Sequence, residues 1–483
     1  MTERPSALRR NLTDIEGQIS ALHSQLARLE TDREAILEKL ASVVYPVLTI
    51  PNEVTSEIFL HYLDHDPSST CSPLVLSRVC SLWRKVALFT PALWSRLHFG
   101  FKKSPKADQS VLRLWLSRAA SLPLDIRIHL PEPKRVQILR LLGEFSAQCQ
   151  SLSLKAKGGI SVPIGTFRAF PCLEKLELAA YNADIFNPAA ITFSTMLNAP
   201  RLRELVLHYS ATVDTTLPWS QLTTLRLLDG RSADCIQILQ HTPNLELLEF
   251  TSMPCEWEGQ VTERRFLRHL HTLILRHQEG YEIVNGLALP SLRELRFESQ
   301  LASCADEMAN MLIDSGCTLQ VLAFPIEDEA DVQSMSLLLR NAKHVKTLQV
   351  DCGNVREDKT FPKLFARLFD DPKMLPVLSS LSIINCRSTI PLSPFVKMLK
   401  TVTKREPAKL TSFKITFAHG RIEVDGGYMT SGGGPSKDRQ VEDLLTQFRE
   451  MRAAGLEVDI QSNIKWFSEE MNLPMIEEIC RPL

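Results

Sequence analysis

The chain has 483 residues, with 55 Lys and Arg against 56 Asp and Glu and a formal net charge of -1. That length holds two or three domains of roughly 150 residues, or one elongated repeat body with a small attachment, and so balanced a charge supplies no global field toward nucleic acid or an anionic membrane. The 11 cysteines are scattered without a CxxC or similar spacing, which reads as reduced, mostly buried thiols of a cytoplasmic or nuclear protein and argues against a zinc site. Arg4, Arg9 and Arg10 precede no apolar run, and no stretch approaches the roughly 20 apolar residues of a membrane span, so a soluble, unsecreted chain is expected.

From Leu8 the apolar residues fall at Leu12, Ile15, Ile19, Leu22, Leu26, Leu29, Ile36 and Leu40, in alternating steps of four and three. This is a heptad pattern in which Arg33 occupies the one seam position that is not apolar, while Glu16, Gln25, Arg28, Glu30, Glu34 and Glu38 fill the outer faces. It predicts an amphipathic helix within residues 1–45, ending before Pro46 because proline disfavours helical geometry in the residue preceding it. Periodicity alone leaves two readings open: a coiled coil that pairs two copies or recruits a partner, or one helix folded back on its own chain.

Residues 46–100 contain two short amphipathic patterns. In the first, Pro51 suits an opening helical position and Glu53 the first turn, with Val54, Ile58, Phe59 and Leu63 on one side. After the polar break DPSSTCSP, the second brings Leu76, Val79, Cys80, Trp83, Val86 and Ala87 together at helical spacing; Pro91 ends it, and Leu93 with Trp94 adds a last apolar anchor. A unit of about 50 residues hides little more than half of its surface, so this much apolar bulk needs further cover. Ile50, Pro51, Glu53, Ile58, Phe59, Val79, Cys80, Trp83, Pro91, Leu93 and Trp94 match a Leu-Pro-x-Glu, Ile-Phe, Val-Cys-x-x-Trp, Pro-x-Leu-Trp pattern, and the segment resembles the F-box. With the preceding helix it is similar to the F-box-like proteins abundant in mushroom-forming fungi. The resemblance implies a three-helix unit that docks on the Skp-family adaptor of cullin-RING ubiquitin ligases, with Pro51, Ile58, Phe59, Val79 and Trp83 at the contact. Ile50 stands where the family usually has Leu, and the break between the helices is longer than in the shortest F-boxes.

Residues 101–140 read as a linker and N-terminal capping region. Over residues 141–460 a six-residue phrase, Leu-x-x-Leu-x-Leu with apolar substitutes, recurs about ten times, from CLEKLEL (Leu173, Leu176, Leu178) through QLTTLRL (Leu222, Leu225, Leu227) to KLTSFKI (Leu410, Phe413, Ile415). Its Leu-x-Leu core has the period of a strand, so both leucines point inward and the residue between them outward. One strand cannot bury such a face, whereas repeats stacked in parallel can. The expected fold class is therefore α/β: a long N-terminal helix and a three-helix F-box, followed by a curved leucine-rich-repeat solenoid with a parallel sheet on its concave face. Segments such as CIQILQHTP and SMSLLLRNAK have helical spacing for the return path, and the asparagine usual after the strand in such repeats is mostly missing.

The outward positions are Glu177, Val206, Arg226, Glu249, Ile274, Arg296, Ala323, Gln349 and Lys414. Mixed sign and size suit a protein partner, and Glu177, Glu249, Arg226 and Arg296 are the candidate target-binding residues, with a local basic spot around Arg226, Arg296, Arg203 and Arg293. The stretch DGGYMTSGGGPSKD lacks the ending a phosphate loop needs and reads as a flexible loop. VEDLLTQFREMRAAG is an expected helix stopped by Gly455, LEVDI an expected strand, and residues 461–483, around Trp466 and Phe467, an expected cap. His61 and His65, four apart, have no third ligand in view and read as surface histidines; no catalytic motif, metal site or cofactor site is expected. The expected function is that of a substrate-recognition adaptor of an SCF-type cullin-RING E3 ubiquitin ligase, binding the Skp-family adaptor, and through it the cullin, with one end and an unknown target protein with the other. The alternative is a non-degradative interaction scaffold.

Overall fold

The computed structural model describes residues 5–42, 46–65, 72–100, 105–130, 132, 135–158, 160–163, 166–167, 169–181, 191–193, 197–208, 217–252, 264–276, 282–298, 304–327, 329–353, 369, 371, 374–387, 393–403, 410–419, 423–424, 427–428 and 446–462. The expected cap around Trp466 and Phe467, and most of the glycine-rich stretch, lie outside them. The chain divides into two compact units, Met1–Trp94 and Ser95–Leu483.

The first unit opens with the long helix α1 (Pro5–Ser42), which stops short of Pro46 as its sequence predicts. Three short helices follow: α2 (Asn52–His65), α3 (Pro73–Leu76) and α4 (Ser81–Phe89). The carbonyl of Pro51 accepts the Thr55 N–H at 2.9 Å, so this proline caps α2 from just outside it. The second predicted helix is in fact two, because residues 77–80 turn. Cys80 is extended and its Sγ accepts the Trp83 N–H at 3.4 Å, while the Arg84 Nε donates to the Ser77 carbonyl at 2.9 Å. A side chain that caps a helix start takes one of the otherwise unpaired first-turn donors, and so restarts the helix at Ser81. α2 packs against α3 and α4 through Phe59, which is 1% exposed and meets the Trp83 ring edge-on with centroids 4.9 Å apart. The indole of Trp94, also buried, donates to the Ala87 carbonyl at 2.8 Å.

The second unit is built on one sheet that, among the described residues, has fourteen strands, every pair parallel and every strand beside the next in chain order. They are β1 (Arg96–Gly100), β2 (Leu124–Leu130), β3 (Cys149–Lys157), β4 (Lys175–Tyr181), β5 (Glu204–His208), β6 (Thr224–Gly230) and β7 (Leu247–Ser252). Then come β8 (Thr272–Arg276), β9 (Glu294–Glu298), β10 (Val321–Pro325), β11 (Thr347–Asp351), β12 (Ser380–Arg387), β13 (Ser412–His419) and β14 (Glu457–Ser462). The sheet begins before the repeated phrase does. The segment expected to be a linker and N-terminal capping region carries helix α5 (Pro105–Arg118), β2 and the start of helix α6 (Arg135–Glu144). Alternation in LDIRIHL, with Leu124, Ile126, Ile128 and Leu130 buried, gives β2 its inward face.

Register explains why the leucines recur. The middle residue of each apolar pair shares one row across the sheet, and the first leucines form a second row running from Leu97 through Leu152, Leu205, Leu248 and Leu322 to Val458. All six of these are buried, and full burial of such a side chain is worth about 1.5–3 kcal/mol. The next inward row holds the larger side chains, including Phe297 and Phe324, stacked with centroids 5.6 Å apart. Return segments fold as helices with an apolar side toward the core: α7 (Ser232–Leu239), α8 (Glu282–Asn285), α9 (Ala305–Ser315), α10 (Glu329–Asn341) and α11 (Ser393–Val402). Residues 446–453 are helical and Gly455, at φ +93°, ends that helix as expected.

Backbone groups entering the strands satisfy one another without an asparagine. The Glu174 carbonyl accepts the N–H groups of Arg203 and Glu204, the Arg203 carbonyl those of Thr223 and Thr224, and the Thr223 carbonyl those of Glu246 and Leu247. The same two-donor step continues through His271, Arg293, Gln320 and Lys346 to Ser379. Buried peptide groups must be paired, and this ladder pairs them at the mouth of each strand.

Candidate functional site

Two surfaces carry the residues singled out by the sequence. On the first unit, Ile58 and Val79 are exposed, Pro51 is exposed, Trp83 is half-buried and Phe59 is buried. The helical repeat separates these roles on α2: Thr55 and Phe59 lie one turn apart toward α4, whereas Val54, Ile58 and Tyr62 form a stripe facing outward. Phe59 therefore holds the unit together and offers no surface of its own. Leu74, Val75 and Phe89, the last 85% exposed, add apolar surface that the sequence reading did not single out. That much uncovered Val, Ile, Leu and Phe on a unit this small marks an interaction surface. The side chains of Asp64 and His65 lie outside the described residues; His61 is exposed, and among the described residues no group of three or more His, Cys, Asp or Glu side chains could hold a metal ion.

On the second unit the nine predicted outward positions do fall in a single register row, from Glu177 on β4 to Lys414 on β13, with Ser382 between Gln349 and Lys414. Their charges are not free. Arg226 reaches Glu249 on β7 with Nη1 at 3.0 Å, and its Nε lies 3.6 Å from Glu204 on β5, too far for a hydrogen bond. Glu204 accepts from Lys175 Nζ on β4 at 2.7 Å, and Glu249 accepts from Arg276 Nε on β8 at 2.8 Å, whose Nη1 lies 3.1 Å from Glu298 on β9. Six side chains of alternating sign thus cross six consecutive strands: Lys175, Glu204, Arg226, Glu249, Arg276 and Glu298. Arg296 is paired with Glu294, and Arg203 is turned onto the carbonyls of Pro200 and Leu202. The basic spot expected around Arg226 and Arg296 is cancelled by these carboxylates.

No family model matches the chain, and no curated protein matches it.

Glu177 anchors a second, shorter network with Lys155 on β3 at 3.1 Å and His208 on β5 at 3.4 Å. The hydrogen bond from His208, helped by Lys155 and opposed by burial, holds its carboxyl well below the usual range, at about 2. Lys175, Glu204, Arg276 and Glu298 do not stand out in the sequence, because the repeated phrase marks only the residue between the paired leucines. Each sits two positions before or after that middle row, hence on the same face of its strand, and a search for opposite signs at matching offsets in successive phrases would have found them. Cys149, Cys235, Cys304 and Cys352 are buried, and burial pushes the thiols of Cys149 and Cys304 up to about 12, which disfavours the thiolate there. No helix among the described residues is long and apolar enough to cross a membrane.

Proposed function

We propose that the chain is an adaptor of a cullin-RING ubiquitin ligase, in which residues 46–100 are an F-box that docks on the Skp-family adaptor and residues 141–460 are a leucine-rich-repeat solenoid whose strand face receives a target protein. The observation that carries this reading is the outward stripe of Val54, Ile58 and Tyr62 beside a buried Phe59–Trp83 contact. It supplies an apolar docking surface on the segment whose spacing resembles the F-box, above a contact that packs α2 on α4. On the strand face the supporting feature is the alternating charge row. A surface whose ions are already paired attracts neither a polyanion nor a polycation, and selects a partner by shape and by geometry of polar groups. Covalent chemistry in this scheme belongs to the ligase partners.

The test is capture from purified components. The full chain is mixed with the Skp-family adaptor alone and then with the adaptor and cullin together. Formation of a ternary assembly is the expected result. Capture of the adaptor without the cullin would favour a non-degradative scaffold, and failure to capture the adaptor at all would end the F-box reading.

A further inference from the structure

α1 leaves its seam uncovered: the apolar side chains from Leu8 to Leu40 are each between 48% and 65% exposed, with Ile19 the least and Leu29 the most. We propose that this helix pairs with α1 of a second copy of the chain as an antiparallel two-stranded coiled coil. Three observations carry the choice of occupant and of direction.

The first is size. Covering a half-exposed leucine or isoleucine removes about 80 Å² of apolar surface, so two such seams hide on the order of 1,400 Å², the class of a specific protein–protein interface. A solvated heptad seam of this length is long enough for a stable pair without help from the rest of the chain.

The second is register. The seam starts at a d position, Leu8, and ends at an a position, Leu40. An antiparallel pair packs a against d, and an overlay centred on Ser24 sets Leu8 against Leu40, Ile19 against Leu29 and Leu22 against Leu26, leaving no seam residue without an opposite. A second copy of the same helix therefore fits the seam from end to end.

The third is Arg33, the one charged seam residue. In a parallel, in-register pair both Arg33 side chains occupy one layer, and two like charges meet where water is excluded. In the antiparallel overlay each Arg33 instead lies opposite Ile15, with Glu16 of the other copy, the adjoining e position, at the rim of the same hole. The two guanidiniums are then 18 residues apart along the axis, about 27 Å at a rise of 1.5 Å per residue and beyond the screening length at physiological salt. A cation that penalises the parallel arrangement finds a carboxylate in the antiparallel one, which is how a polar seam residue sets orientation.

Charge swapping in the full-length chain, with the dissociation constant read by sedimentation equilibrium, decides between these. Wild type is expected to dimerise. Glu16→Lys and Arg33→Glu should each weaken the dimer by about tenfold, and the double variant should recover most of the loss. Within one helix the two residues are about 25 Å apart, so recovery cannot come from an intrachain pair. A monomeric wild type overturns the proposal, as does a dimer indifferent to either change. Recovery by Asp32→Lys with Arg33→Glu, and not by the Glu16 combination, would show a parallel pair and overturn the orientation. Thermal unfolding of each variant confirms that the second unit is intact. The inference is independent of the adaptor reading: a monomer that captures the Skp-family adaptor sinks only the pairing.

Discussion

Glu249 on β7 and Arg226 on β6 face each other in register, with the carboxylate 3.0 Å from the guanidinium, yet only the acid is buried: its side chain is 6% exposed and that of the arginine 41%. The asymmetry fixes what each loss costs. Removing the acid leaves two arginines that retain solvent and their other carboxylates, Glu204 and Glu298. Removing both arginines leaves a buried carboxylate without a counter-ion. Glu249→Gln is therefore expected to destabilise the second unit by about 1–2 kcal/mol, and Arg226→Met with Arg276→Met by about 3–5 kcal/mol. Urea unfolding measures both, and the reverse order would refute the assignment of Glu249 as the desolvated partner.

Ile58 and Phe59 are adjacent in sequence and opposite in duty. Phe59→Ala opens a cavity against Trp83, and a loss of about 3–5 kcal/mol is large for so small a unit, so binding and folding should fail together. Ile58→Glu places a charge on an exposed position and should leave the tryptophan fluorescence and unfolding midpoint unchanged while abolishing capture of the Skp-family adaptor. Full capture by Ile58→Glu would remove the outward stripe of α2 from the proposed contact.

The same pair shows what was legible in the chain and what was not. Helical spacing put Ile58 and Phe59 on α2 but could not say which faces inward, because that depends on where α3 and α4 lie, and the break at residues 77–80 came from a cap by the Cys80 sulfur that apolar periodicity does not register. On the sheet the period of two was decisive. It put Leu225 and Leu227 inside and Arg226 outside, and a long parallel sheet followed from repetition of that phrase. Strands without the phrase are not marked by it: β2 reads LDIRIHL, equally periodic but with isoleucines, and lies in the stretch expected to be a linker and N-terminal capping region. Pairing among charges was also hidden, since Lys175 meets Glu204 only through a register that spans 29 residues of sequence.

Asp234, in the first turn of α7, has a carboxyl that burial raises from 3.8 to about 6, with Arg231 opposing the rise, and its Oδ2 is buried without a hydrogen-bond partner. An acid whose folded value lies above its unfolded one favours the folded state fully below the unfolded value, and that advantage fades as pH rises through the folded one. Stability should thus decline between about pH 4 and pH 6 on account of this group. Asp234→Asn should melt higher than wild type at pH 7, with the difference vanishing by about pH 4. An equal gain at both pH values would show that the carboxyl is not the titrating group.

Gly143 and Gly455 are both needed, for different physical reasons. At Gly455 the backbone is left-handed, φ +93°, and an added Cβ would meet nothing within 4 Å, so alanine there costs only the conformational penalty of about 1–2 kcal/mol. At Gly143, on α6, an added Cβ would lie 2.1 Å from the carbonyl oxygen of Thr166. That oxygen belongs to backbone, which cannot swing aside as a side chain does, so Gly143→Ala must push α6 and the Thr166 backbone apart and should cost about 3 kcal/mol or more. Compared by urea midpoint, Gly143→Ala is expected to be the less stable of the two variants. A Gly143→Ala protein as stable as wild type would mean that α6 does not lie against the Thr166 carbonyl in solution.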